Sequence, residues 1–130
     1  MPAPCSFEYA VVRVVPRVER EEFVNAGIVL FCLEHDFLAA RVELDRDRVR
    51  AIFPGADLPL VEEHLAALVR IAAGAEGSGP IGKLPPRERF HWLVAPRSTI
   101  IQVGPVHSGV CQDPARALDR LVERMVLLPR

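Results

Sequence analysis

The stretch Tyr9–Leu44, YAVVRVVPRVEREEFVNAGIVLFCLEHDFLAARVEL, decides the fold. Its opening, from Glu8 to Val15, is rich in β-branched side chains, which pack well on a pleated surface. Ala10, Val12 and Val14 share one face of this strand; Tyr9, Val11, Arg13 and Val15 share the other. Pro16 ends the strand, and the charged run Arg17–Phe23 reads as a loop or a single helical turn. Asn25 and Gly27 lead into Ile28–Leu33, which is apolar on both faces, as a central strand must be. Glu34-His35-Asp36 is a polar break long enough for a hairpin. Phe37–Leu44 then alternates, with Leu38, Ala40, Val42 and Leu44 facing one way and Phe37, Ala39, Arg41 and Glu43 the other.

Working outward, helices follow. Asp45 caps a short one that stops before Pro54-Gly55. Asp57 caps a longer one, with Pro59 in its first turn, Gly74 as its stop, and Leu58, Val61, Leu65, Leu68 and Ala72 as its buried stripe. Residues 74–86 hold the glycines and prolines of a flexible loop. Arg87–Ala95 reads as a short helix, and Ser98–Val103 as a fourth strand. Gly104-Pro105 turns the chain, and Val106–Gly109 reads as a polar connection. Asp113-Pro114 starts a last helix running to about Leu128, with Leu118, Leu121, Val122, Met125 and Val126 inward. The expected fold is α+β: one domain over residues 1–130, with a mostly antiparallel sheet of about four strands in the order β-β-β-α-α-β-α. The helices are expected to pack on one face.

Composition narrows the function classes. The formal net charge is -1, so net charge offers no attraction for nucleic acid or an anionic membrane. No apolar run approaches the length of about 20 residues that spans a bilayer. The N-terminal MPAPCSFEYA lacks the basic and apolar regions of a signal peptide. Cys5, Cys32 and Cys111 are odd in number and irregular in spacing, which argues against a disulfide framework. A cytoplasmic setting is the expectation.

The chemistry-bearing motifs are sparse. The glycines near Ser78 lack the preceding strand of a phosphate loop, and Lys83 is followed by Leu84. Cys32-x-x-His35 and His107-x-x-x-Cys111 have separations zinc can use, but Cys32 lies in an apolar strand and reads as core. His107 beside Ser108 lacks the context of an activated nucleophile. The acidic residues Glu8, Glu34, Asp36 and Asp113 do not converge on a two-metal site. No catalytic residue, metal ligand or cofactor is assigned.

The polar set that remains is Arg13, Arg17, Asn25, Arg97, Ser98, Thr99, Gln102 and His107. Arginine forks grip carboxylate or phosphate at two points, and the amides and hydroxyls would orient such a ligand. A small anion or nucleotide site is one reading of this set; ion pairs and turn caps are the other. Phe37, Phe53 and Trp92 could serve a partner or homodimer surface, or form satellite core under loops.

Four segments, YAVVRVVPRVEREEFVNAGIVLFC, FLAARVELDRDRVRAI, FHWLVAPRSTIIQ and PVHSGVCQDPARALDRLVERMV, together resemble the bacterial family catalogued as domain of unknown function 3037. The resemblance covers nearly the whole chain, with motif positions Arg13, Pro16, Arg17, Glu21, Asn25, Gly27, Pro96, Arg97, Ser98, Thr99, Gln102, His107 and Gly109. It implies no established activity or cofactor. It does imply a partner, because members often lie beside genes for HipA-like kinases. The expected function is therefore a non-enzymatic interaction or regulatory module. The alternative is a binding protein or small enzyme acting on a phosphorylated or carboxylated ligand.

Overall fold

A computed structural model describes residues 3–129. Five strands form one antiparallel sheet: β1 (Cys5–Val14), β2 (Val24–Cys32), β3 (Phe37–Val42), β4 (Ile101–Val103) and β5 (His107–Cys111). β2 lies between β1 and β3. The far edge of β1 is shared, with β4 opposite Val12–Val14 and β5 opposite Cys5–Tyr9. The α+β fold and the antiparallel sheet agree with expectation. The sheet has five strands where about four were expected, because most of the expected connection Val106–Gly109 belongs to a further strand, His107–Cys111. Its residues are mostly exposed and none is fully buried, and only pairing with β1 makes them a strand. The fourth strand is also shorter than expected, Ile101–Val103.

The helices are α1 (Arg46–Ile52), α2 (Leu58–Ala73), α3 (Gly79–Gly82), α4 (Pro86–Val94) and α5 (Pro114–Met125). A 3-10 turn, Val18–Arg20, joins β1 towards β2. The carboxylates of Asp45, Asp57 and Asp113 accept backbone N–H bonds from Arg48, Leu60 and Ala115, each at 3.1 Å. Gly74, at φ 64°, ends α2 in the left-handed conformation that glycine adopts without steric cost. Within residues 74–86, α3 packs beside α2, and Arg89 donates to the carbonyl of Leu84 at 2.7 Å. No helix among the described residues is long and apolar enough to cross a membrane.

Helices cover both faces of the sheet, not one. Ala10, Val12, Val14, Val29 and Phe31 pack with Val49 of α1, Leu65 and Leu68 of α2, and Phe90 and Leu93 of α4. On the opposite face Cys5, Phe7, Ile28, Leu30 and Cys32 pack with Ala117, Leu118 and Val122 of α5. The reason lies in β2, which is buried on both sides and so needs a cover on each. Of the residues expected inward on α5, Leu118, Val122 and Val126 are buried, Leu121 is half-buried, and Met125 is exposed.

A bulge tunes this arrangement. Val12 pairs with Gly27, yet Arg13 pairs with Asn25, so Ala26 has no opposite residue on β1. The extra residue lets Val24 and Ala26 share a face with Val29 and Phe31. It also turns Asn25 towards α5, where its side-chain N–H donates to the carbonyl of Met125 at 3.0 Å. That carbonyl belongs to the last turn of α5 and has no helical partner of its own. Asn25→Ala is expected to lower stability by about 1 kcal/mol. It should speed hydrogen exchange in the final turn of α5. An unchanged urea midpoint would mean that water replaces the amide without loss.

Candidate functional site

The eight candidate polar residues divide between separate regions. Asn25, Arg13 and Gln102 are direct cross-strand partners on β2, β1 and β4, so they form one row on the α5 side of the sheet. His107 lies further along the same side, paired with Tyr9, their ring centroids 5.4 Å apart. Arg97, Ser98 and Thr99 lie in the segment between α4 and β4, beside a groove on the other side. Arg17 stands apart, just before the 3-10 turn, paired with Glu19 at 2.8 Å and 5.6 Å from the Phe53 ring.

The row is mostly bound to its own backbone. Asn25 caps α5, and Gln102 donates to the carbonyl of Thr99 at 3.0 Å. Arg13 lies between Phe23, whose ring centroid is 4.2 Å from the guanidinium carbon, and Gly104. A Cβ on Gly104 would sit 2.9 Å from that guanidinium, so glycine makes the room. The arginine Nε is buried without a partner there. The cation is thus held by an aromatic face and packing rather than by an ion pair.

The other region is the more open to a ligand. A groove of about 650 Å³ runs between α2, α4 and β4. It is lined by Leu60, Ala67, Leu68 and Ile71 of α2, Trp92 and Leu93 of α4, and Ile101 and Val103 of β4. Arg97, Ser98 and Thr99 supply its polar end. The Arg97 guanidinium carbon lies 4.0 Å from the Trp92 ring centroid, and the same side chain donates to the Trp92 carbonyl. Thr99 donates its hydroxyl to the carbonyl of Ile101 at 2.7 Å, which shapes the entry to β4. Burial pulls the Arg97 pKa below its ordinary range. An arginine side chain remains a cation at neutral pH all the same. An apolar trough with one anchored guanidinium can hold an apolar group that carries a carboxylate.

Trp92 was legible as a candidate contact residue; Leu60, Ala67 and Ile71 were not. They lie off the buried stripe of α2 that faces the sheet, and their apolar character was the unread signal. Among the described residues, no three His, Cys, Asp or Glu side chains are grouped to hold a metal ion. The three cysteines are free, Cys5 and Cys32 buried and Cys111 half-buried.

Residues 9–126 match the family described as "Protein of unknown function (DUF3037)". No curated protein and no solved structure matches the chain.

Proposed function

The chain belongs to the DUF3037 family, and from that premise we propose that it is a non-enzymatic interaction module whose groove between α2, α4 and β4 receives an apolar segment of a partner protein. The observation that carries this reading is the union of an apolar trough with the Arg97 cation stacked on Trp92. Trp and Arg are among the side chains enriched where binding energy concentrates at protein interfaces. Leu60 and Trp92 remain 40% and 37% exposed, so a partner would bury further apolar surface there. The resemblance directs the first trial to a HipA-like kinase.

The test is calorimetric titration of the purified chain against a purified HipA-like kinase. Arg97→Ala and Leu60→Asp are expected to weaken association by tenfold or more, about 1.4 kcal/mol. Kinase activity should also change when the wild-type chain is present. Absence of association with the wild-type chain, and kinase activity indifferent to it, would remove the support for this partner.

The volume of the groove favours a second reading, a small apolar carboxylate as ligand, because small-molecule sites have about 300–1,000 Å³. Thermal-shift screening of fatty and aromatic carboxylates against their amides separates the two. Stabilisation by the acids alone, lost in Arg97→Ala, would favour the small molecule.

A further inference from the structure

Pairing of β5 with β1 places Cys111 directly opposite Cys5. Directly opposed residues of antiparallel strands have Cα atoms about 4.5–5.5 Å apart, which lies within the range that a disulfide spans. Both side chains face α5, in the same apolar layer as Cys32. Cys111 differs from the other two in access: it lines a surface hollow of about 380 Å³ with Arg116 and Arg120 of α5. These arginines are four residues apart and so share one helix face. Neither enters an ion pair among the described residues. The one carboxylate lining the hollow, Asp113, accepts the backbone N–H groups of Ala115 and Arg116 as the cap of α5. The hollow therefore combines a thiol with two uncommitted cations.

We propose that Cys111 is a thiol-modification site for small disulfides that carry carboxylates, and that Cys5 resolves the adduct into a cross-strand Cys5–Cys111 disulfide. In the first step the Cys111 sulfur, its proton lost to water, attacks one sulfur of the reagent RSSR. The Cys111–S–SR bond forms, the reagent's S–S bond breaks, and RS⁻ leaves and takes up a proton. In the second step Cys5, its proton lost to water, attacks the Cys111 sulfur of the adduct; the Cys5–Cys111 bond forms, the Cys111–SR bond breaks, and a second RS⁻ leaves and takes up a proton. Two protein thiols are oxidised by two electrons, and one disulfide is reduced to two RSH. Burial raises the pKa of both Cys5 and Cys111, so the exchange should quicken as pH rises. Cys32 is fully buried, out of reach of a reagent in the hollow. The bond would staple β5, whose strand partner is β1, at the point where the chain enters α5.

The test uses the full chain, reduced and freed of reductant, then treated with glutathione disulfide and followed by intact mass and peptide mapping. The wild-type chain is expected to lose two hydrogens and to yield a Cys5–Cys111 linked peptide, with a higher melting temperature. Cys5→Ser should stop at one mixed disulfide on Cys111, and Cys111→Ser should form neither product. Cys5→Ala, which leaves no buried hydroxyl, is the second variant for the resolving thiol. Arg116→Ala with Arg120→Ala should slow the reaction several-fold with glutathione disulfide but not with uncharged bis(hydroxyethyl) disulfide. A Cys32–Cys111 linkage, an adduct first on Cys5 or Cys32, or no reaction of the folded chain would overturn the proposal. Equal slowing with both reagents would overturn the role given to the arginines.

Discussion

Phe90→Ala is expected to cost about 3–5 kcal/mol, the usual loss when a buried phenylalanine is truncated. Phe90 is 1% exposed and is the largest of the fully buried side chains. Its ring stacks on that of Phe31, with centroids 5.4 Å apart, and so joins α4 to the central strand. Truncation removes both the transfer free energy of the ring and its contacts, and α4 cannot close the gap without moving off the sheet. Total stability for a domain of this kind is about 5–15 kcal/mol, so the loss is a large share of it. The melting temperature should fall by roughly 10–20 °C, on a scale of about 3–5 °C per kcal/mol at this chain length. Guanidinium unfolding gives the free energy directly. A loss below about 1.5 kcal/mol would mean that the layer between β2 and α4 repacks freely, which close-packed interiors rarely allow. Trp92 and Leu93 lie on the same short helix, so Phe90→Ala should also weaken any binding in the groove.

The second large effect is expected at Gly27. This residue pairs with Val12 on one side and Val42 on the other, at the bulge. A Cβ added there would meet the Arg41 carbonyl oxygen at 2.7 Å and Val42 Cγ1 at 2.8 Å. The first of these is backbone, so no change of rotamer relieves it. Gly27→Ala is therefore expected to destabilise by about 2–3 kcal/mol, near the top of the range for overpacking. Gly27→Val should exceed it. Hydrogen exchange should localise the damage to β2 and β3, and Arg41, whose guanidinium bonds Asp119 of α5 at 2.8 Å, should lose that contact. Wild-type stability in Gly27→Ala would show that β3 can slide away at no cost, and that the close approach is not a constraint.

Alternation of apolar residues marked β1 and β3, and a run apolar on both faces marked β2, because side chains on a strand point to its two faces in turn. Aspartate before an apolar run found all three capped helices, because a cap is a local bond between residues two or three apart. β5 escaped, since His107-Ser108-Gly109-Val110-Cys111 has neither strong alternation nor a buried core residue. It exists as a strand through hydrogen bonds to β1, and Gly109 is needed there because a Cβ would sit 2.4 Å from the Phe7 ring. The candidate polar set was legible by residue type but not by grouping. Gln102 and Arg97 are five residues apart, yet alternation sends Gln102 to the Arg13 row while Arg97 stacks on Trp92.

From sequence alone came the α+β class, the central place of the run Ile28–Leu33, the starts of the three aspartate-capped helices, and the resemblance to the family. These depend on short-range patterns and on conformational preference. Tertiary structure alone decided that α5 covers the second face and that Asn25 caps it. It alone put Leu60 and Trp92 in the lining of one groove, and Cys5 opposite Cys111. Each of these joins residues far apart in the chain. Such contacts are selected by the packing of whole elements, so no local pattern encodes them.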